Sequence, residues 1–282
     1  MDLDVDSALL GDRARVVVAQ HPVVGDAASA SWVWLLHGFG AEVADVTWLV
    51  GGLAKAMAAG DLGPCTIAAP VGPWSKTAWW VDSTYRHGGR PVESAVISDV
   101  LPAVERRLGP PSSREQRMVA GLSMGGGAAA VWSLRHPELF GSAALAAPAA
   151  FADAPPSSPT ADGSSPFGHD EQQYSVERWS ALMSYRRLLA SRAPASLPLR
   201  VAIVVGDAEV VGDHPSDTGR SSLTLEAAKL HVALADAPGI SSSLRVVGAG
   251  HTWDFWIPGL SQAIELVREP APTDPGGPRP VR

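Results

Sequence analysis

Seven short apolar runs, separated by stretches with helical spacing, are the feature that most constrains the fold of this chain. Most of these runs lack strict alternation of apolar and polar residues, as expected for strands covered on both faces. Between them, residues 92–108 and 222–237 place apolar side chains three to four positions apart, as surface helices do, with a bend expected at Pro102. This pattern predicts an α/β fold with a mainly parallel central sheet flanked by helices. The predicted strands are residues 14–19, 32–36, 65–69, 117–121, 142–147, 199–205 and 243–248.

The length of the chain favours one large domain over two small ones. Its 282 residues, 46% of them hydrophobic, can bury a sizeable core, and no internal repeat or linker divides them. We therefore expect a single domain over residues 1–268. Residues 269–282, rich in proline and glycine, are expected to form a disordered tail.

An insertion precedes the strand predicted at residues 199–205. Residues 154–173 are rich in proline, serine, glycine and aspartate, and residues 174–190 continue as a helix. Residues 154–190 have two interpretations, a surface excursion or a cap that borders the active site, because long loops in compact domains often serve as lids.

One serine is surrounded by glycines in residues 119–130, which read VAGLSMGGGAAA. An apolar strand precedes Ser123, and an alanine-rich helix follows it and ends before Pro137. A serine on such a sharp turn needs neighbours without side chains two residues away, and Gly121 and Gly125 meet that need. The context indicates a nucleophile elbow. The alternative is a helix-packing turn in which the serine caps the helix.

A serine nucleophile needs an imidazole base and a carboxylate that fixes the imidazole tautomer. Among eight histidines, His251 stands out because it follows the last predicted strand in a loop near the C-terminus. The strand before that one is followed by three acidic candidates, Asp207, Glu209 and Asp213. The chain order of serine, acid and histidine is that of α/β-hydrolases.

The oxyanion that forms during acyl transfer needs hydrogen-bond donors already in place. The strand at residues 32–36 runs into residues 37–40, His-Gly-Phe-Gly, whose glycines let backbone amides point at a neighbouring site. We expect the amides of Phe39 and Met124 to form the oxyanion hole.

Ten tryptophans are present, and several fall on or near the predicted active-site loops. Aromatic walls suit an acyl or aryl group, although core packing explains most such residues equally well. Of the candidates we expect Trp80 to line the substrate pocket. The candidates are Trp48, Trp79, Trp80, Trp253 and Trp256.

These motifs resemble the esterase D branch of the α/β-hydrolases, the family that includes S-formylglutathione hydrolases, feruloyl esterase domains and mycobacterial mycolyltransferases. The resemblance covers roughly residues 7–268 and rests on the stretches LLHGFG, TAWWVDS, GLSMGG and GAGHTWDFW. It implies Ser123 as nucleophile, His251 as base and the two amides named above as the oxyanion hole. It also implies an acyl-enzyme route.

The resemblance bears on the choice of the acid. In the family the carboxylate is commonly the third residue after a glycine at the strand end, which in GDAE selects Glu209. Asp207 would then be a turn residue that binds backbone amides.

The expected activity is hydrolysis of a small-molecule carboxylic ester or thioester, with acyl transfer to an alcohol or amine as the alternative. A non-catalytic binding protein on the same fold should have a broken triad, whereas here every role has a candidate. The net charge of −7 argues against nucleic acid as a partner. No metal or cofactor is expected, because the histidines and the single Cys65 show no ligand spacing. The chain shows no signal peptide or bilayer-spanning stretch, which predicts a cytoplasmic protein.

Overall fold

Strands and helices alternate along the described part of the chain, which in this computed structural model comprises residues 1–22, 31–152, 165–193, 196–211 and 221–269. The strands are β1 (Asp2–Ser7), β2 (Asp12–Gln20), β3 (Ser31–Leu36), β4 (Cys65–Val71), β5 (Thr84–Tyr85), β6 (Arg117–Leu122), β7 (Ser142–Ala146), β8 (His169–Asp170), β9 (Leu199–Ala208), β10 (Val210–Val211), β11 (Ser221–Ser222) and β12 (Ile240–Gly250). The helices are α1 (Val43–Ala59), α2 (Val92–Ala95), α3 (Leu101–Leu108), α4 (Met124–Arg135), α5 (Val176–Met183), α6 (Tyr185–Ala190), α7 (Leu223–Ala235) and α8 (Trp253–Arg268).

The main sheet has eight strands in the order β1-β2-β4-β3-β6-β7-β9-β12. β2 pairs antiparallel with both β1 and β4, whereas the remaining neighbours are parallel. Every residue of β4 and β7 is buried, which explains why their apolar runs do not alternate. The prediction of an α/β fold with a mainly parallel central sheet is confirmed.

All seven predicted strands are present in the sheet, and β1 is an eighth that the sequence did not reveal. β1 lies at the sheet edge and has the sequence DLDVDS, with Val5 and Ser7 buried and the aspartates turned outward. Aspartate is depleted in strands, so the alternation of this segment does not stand out in the sequence as a strand.

Two groups of helices flank the sheet. α1 and α8 pack against each other, and α8 covers β7 and β9. α4 covers β6 and β7, and α7 covers β9 and β12. Where Pro102 was expected to bend a helix, a π-helical turn at Val96–Val100 joins α2 to α3, because proline donates no backbone hydrogen bond and crowds the preceding turn. None of the described helices is both long and apolar enough to cross a membrane.

The described part of the insertion, residues 165–190, packs beside α4. Its short strand β8 pairs with β5, and both α5 and α6 contact α4. The side chains of Phe167 and Tyr185 are fully buried there. Three features of the sequence analysis lie outside the described residues: residues 154–164 of the insertion, Asp213, and residues 270–282 of the tail.

The single cysteine is a core residue. Cys65 begins β4, and its sulfur lies 3.4 Å from the sulfur of Met57 on α1. Burial raises the pKa of the Cys65 thiol to about 11.

Candidate active site

Ser123 lies on a strained turn between β6 and α4. Its backbone has φ 52° and ψ −119°, a conformation that costs energy for any residue with a side chain. Hydrogen bonds hold this turn: the Ser123 amide donates to the carbonyl of Ala146 at 3.0 Å, and the Ser123 carbonyl accepts from the amide of Ala149 at 2.8 Å. The strained geometry is thus fixed by β7 and the loop that follows it.

The flanking glycines are required by contact distances. A Cβ atom on Gly121 would lie 2.2 Å from the carbonyl oxygen of Gly125, and one on Gly125 would lie 2.1 Å from that of Leu36. No side chain fits at such distances, so the glycines let the turn close against β3. This geometry is that of a nucleophile elbow.

His251 lies directly after β12 and reaches the serine. Its Nε2 is 3.0 Å from the Oγ of Ser123. The imidazole ring stands edge-on to the indole of Trp256, with ring centroids 4.6 Å apart and planes at 88°. Trp256 belongs to the first turn of α8 and is buried, so the helix start sets the tilt of the imidazole.

Glu209 is the carboxylate that contacts the imidazole. Its Oε2 lies 2.6 Å from Nδ1 of His251, and its Oε1 accepts a hydrogen bond from the Gly206 amide at 3.3 Å. The side chain is fully buried. A carboxylate at Nδ1 keeps the ring proton on that nitrogen, and Nε2 is then free to accept a proton from the serine.

Asp207 lies in the last two residues of β9, just before Glu209, but its side chain points elsewhere. Its Oδ1 accepts a hydrogen bond from the amide of Ala249 at 3.2 Å, which ties the end of β9 to the end of β12. The structure therefore brings together Ser123, His251 and Glu209, and it places Asp207 as a backbone-binding residue beside them.

The amides expected to form the oxyanion hole border the serine. Met124 is the first residue of α4, and Phe39 follows Gly38, whose Cβ would lie 3.5 Å from the Cβ of Ser123. Within the described part of the chain, neither the Phe39 amide nor the Met124 amide donates to a protein acceptor. Both amides therefore remain candidates for the donors of an oxyanion hole.

His37, in the same loop, is a buried histidine behind the site. Its Nδ1 donates to the carbonyl of Gly38 at 2.9 Å, and its Nε2 lies 2.8 Å from the hydroxyl oxygen of Ser75. Burial lowers the pKa of His37 to about 4, because the charged ring would lose its hydration. The ring is therefore neutral at physiological pH.

A cavity of about 280 Å³ opens in front of Ser123 and His251. We refer to Phe39, Asp45 and Trp253, which line it and are partly exposed, as its open side. Trp253 packs edge-to-face on the exposed Trp48 of α1, with ring centroids 5.3 Å apart. We refer to residues 37–40 as the oxyanion loop, after the role expected of Phe39. Sequence reasoning missed Asp45, although α1 begins three residues after Gly40 and its first turn must therefore lie near this loop.

Trp80 is not among the residues that line this cavity. Its side chain is fully buried, and its indole N–H donates to the carbonyl of His37 at 3.1 Å. We refer to His37, Trp80 and Trp132 as the back wall of the site. We expected Trp80 to line the pocket, but its ring packs on the core side of the oxyanion loop. Sequence position does not reveal on which side of a loop a ring packs.

The described part of the insertion does not line the cavity either. Phe167 instead packs against Trp79, with ring centroids 5.8 Å apart. The side chain of Arg178 on α5 donates to the carbonyl of Asp82. These contacts attach residues 165–190 to the loop before α2.

Comparison with known proteins finds solved structures with the same fold. A ferulic acid esterase is 20% identical and has a TM-score of 0.70, with 95% of this chain and 96% of that chain covered. An S-formylglutathione hydrolase from Agrobacterium tumefaciens is 18% identical with a TM-score of 0.67, covering 96% and 94%. A fluorophosphonate-binding serine hydrolase from Staphylococcus aureus is 12% identical with a TM-score of 0.63, covering 95% and 97%.

The solved structures establish the α/β-hydrolase fold, and a match to a sequence family establishes the family to which the chain belongs. A search of curated proteins found no match. The family described as "Putative esterase" matches residues 56–266, about three quarters of the chain. The chain therefore belongs to the Putative esterase family, within the esterase branch of the α/β-hydrolases.

Proposed function

We propose that the protein is a serine esterase that hydrolyses a carboxylic ester or thioester through an acyl-enzyme. The observation that carries this proposal is the continuous set of contacts from Ser123 Oγ to His251 Nε2 at 3.0 Å and from His251 Nδ1 to Glu209 Oε2 at 2.6 Å. Nucleophile, base and orienting acid are thus within hydrogen-bond reach of one another at the mouth of a cavity.

Acylation begins when Ser123 Oγ attacks the carbonyl carbon and its proton passes to Nε2 of His251. The tetrahedral oxyanion accepts hydrogen bonds from the amides of Phe39 and Met124, and Glu209 stabilises the imidazolium. The bond to the leaving alcohol or thiol then breaks, and the leaving group takes the proton from His251. The acyl group remains as an ester on Ser123.

Deacylation repeats these steps with water. His251 removes a proton from a water molecule as its oxygen attacks the acyl carbon, and the bond to Ser123 Oγ breaks as the proton returns to that oxygen. The products are a carboxylic acid and the free serine. Hydrolysis is favoured over transfer because the open side of the cavity, with Phe39 and Trp253 half-exposed, gives water access to the acyl group.

Covalent labelling tests the proposal. A fluorophosphonate probe should add to Ser123 in the folded protein, and tandem mass spectrometry should locate the adduct on the peptide that contains residues 119–130. Heat-denatured protein is the control for non-specific reaction. Absence of an adduct on Ser123 in folded protein would favour a binding protein on the same fold and would overturn the proposal.

Acyl transfer is distinguished by product analysis. The purified protein should be supplied with aryl and acyl esters of graded chain length, with and without alcohol or amine acceptors. Free acid should be the main product under all these conditions. Acceptor-dependent product in high yield in water would replace hydrolysis by transfer as the main reaction.

A further inference from the structure

The two amides of the proposed oxyanion hole belong to different elements. Phe39 follows β3, whereas Met124 opens α4. Oxyanion donors act at about 2.7–3.1 Å from the oxygen, so the distance between the two elements has to be held within a few tenths of an ångström. This inference rests on the proposed function and concerns what holds that distance.

Three buried N–H donors form a chain of hydrogen bonds between α4 and the oxyanion loop, which we call the relay. The indole N–H of Trp132, on α4, donates to the carbonyl of Trp80 at 3.0 Å. The indole N–H of Trp80 donates to the carbonyl of His37 at 3.1 Å, and Nδ1 of His37 donates to the carbonyl of Gly38 at 2.9 Å. All three side chains of this back wall are at most 2% exposed, so water does not compete for these bonds.

The last bond of the relay orients an oxyanion donor. The carbonyl of Gly38 and the amide N–H of Phe39 belong to one planar peptide group and point in opposite directions. Nδ1 of His37 at 2.9 Å and the Ala41 amide at 3.4 Å both donate to the Gly38 carbonyl, and these bonds fix the plane of the peptide group that carries the Phe39 N–H. Gly38, Phe39 and Ser123 line the cavity together.

The backbone at Trp80 is strained. Trp79 and Trp80 have φ values of 53° and 58°, a left-handed conformation that is rare for bulky residues. Such strain persists only where the surroundings over-determine it, and it concentrates at functional sites. Here the indole of Trp80 packs edge-to-face on Trp74 and Trp132, both with ring centroids 6.2 Å away.

We propose that Trp80 is a positioning residue for the oxyanion hole. Its indole N–H binds the carbonyl of His37, and its own carbonyl accepts from Trp132 of α4. Trp80 thereby fixes the oxyanion loop to α4 and sets the distance between the Phe39 and Met124 amides. It touches neither the substrate nor the reacting atoms, so its removal should weaken transition-state binding and leave substrate binding unchanged.

The test removes the N–H and keeps the shape. Trp80 should be replaced by phenylalanine and, separately, by benzothienylalanine, which retains the size of the indole and lacks the donor. We expect kcat for an activated ester to fall roughly tenfold, since small misplacements of catalytic groups have effects of this order, with KM within about twofold. Affinity for an arylboronic acid, which forms a tetrahedral adduct on serine, should fall in parallel with kcat.

The matched control is Trp34 in β3, another buried tryptophan whose indole N–H donates to a side chain, Glu105, at 3.2 Å. The same two replacements at Trp34 remove a buried indole hydrogen bond away from the oxyanion loop. They should lower the thermal midpoint and leave both kcat and boronate affinity of the folded enzyme unchanged.

Each outcome decides the question. If the benzothienylalanine variant at position 80 folds and keeps its kcat and boronate affinity, Trp80 only packs the core and the inference is overturned. If the variants at position 34 lose kcat equally, the effect is general destabilisation and the inference is again overturned. Failure of the proposed function is recognised separately, because wild-type protein would then show no fluorophosphonate adduct on Ser123.

Discussion

The back wall and the open side of the cavity share one loop, in which His37 and Phe39 are two residues apart, yet the protein holds them very differently. Trp80 in the back wall is 0% exposed, and each N–H of its relay has an acceptor. On the open side Phe39 is 47% and Trp253 53% exposed. Under the proposed function, the difference teaches that the geometry for bond-making would be set by buried groups, whereas the groups that would meet the substrate are exposed to solvent.

If this division holds, changes to the serine, its partners and the back wall act on the chemical step or on stability. Changes to the open side act on which substrate is preferred. The predictions below test the division from the largest expected effect to the smallest.

Ser123→Ala should abolish turnover of activated esters while leaving the fold intact. Loss of the nucleophile typically costs about four to six orders of magnitude in kcat. Removal of one hydroxyl from a half-buried turn should change the thermal midpoint little. The measurement is kcat on a p-nitrophenyl ester together with circular dichroism. Retention of most of the activity would mean that another group is the nucleophile.

Glu209→Gln should lower kcat by roughly two to four orders of magnitude, because the amide can stabilise the wrong imidazole tautomer. Asp207→Asn is the matched control from the same strand end: its amide oxygen can still accept from Ala249, so kcat should change only a few-fold. An inactive, folded Asp207→Asn alongside a normal Glu209→Gln would move the role of the acid to Asp207.

The buried His37 should make stability depend on pH. Its pKa is lowered from near 6.5 to about 4, so the unfolded chain takes up a proton that the folded protein excludes. The free energy of unfolding should therefore fall as pH decreases from about 6.5 to about 4, by on the order of 3 kcal/mol in total from this residue. The free energy of unfolding should be measured by urea titration at several pH values in this range. It should fall less steeply with decreasing pH in His37→Gln than in the wild type, and an equal dependence on pH in both proteins would contradict the assignment.

The smallest effect is expected from Asp45 on the open side. It is the only acidic residue among the described residues that line the cavity. One of its carboxylate oxygens accepts a hydrogen bond from the Glu42 amide at 2.9 Å. Asp45→Asn keeps an acceptor for that bond and removes the charge. The ratio of kcat/KM for a cationic ester to that for an anionic ester of equal size should fall about fivefold, because the attraction between opposite charges near a surface is modest.

Glu42→Gln is the control for the effect of Asp45. It changes the net charge of the protein by the same amount, but Glu42 lies outside the cavity lining and pairs with Lys76 at 2.7 Å. The preference between the two esters should be unchanged in this variant. Equal shifts in both variants would show that the overall field of the protein, and not the cavity, selects the charge of the substrate.

Sequence reasoning located the parts of the site that depend on local backbone chemistry. The turn at Ser123 requires glycines on both sides, and the place of His251 after a strand follows from the order of elements. The residues alone left Glu209, Asp207 and Asp213 open as the acid, and only the spacing typical of the resembled family selected Glu209. The physical reason appears when β9 and β12 lie side by side, since Asp207 then binds the backbone of the neighbouring strand.

What sequence reasoning could not provide was the direction of side chains in irregular segments. Trp80 was assigned to the pocket from its place in a loop, but its left-handed backbone turns the indole into the core. Asp45 carries no motif, and its role on the open side arises only from how the first turn of α1 meets the oxyanion loop. In both cases the position of the side chain depends on contacts between segments that are distant in the chain or that lack the regular period of a helix or strand.

The buried thiol of Cys65 has a practical consequence for labelling. Thiolates, not thiols, react with maleimides, and a pKa of about 11 together with burial leaves almost no accessible thiolate at neutral pH. The native protein should therefore not react with maleimides. A single cysteine introduced at the exposed Trp48 position would then carry a fluorophore or spin label as the sole modified site, without any need to remove Cys65 from the core.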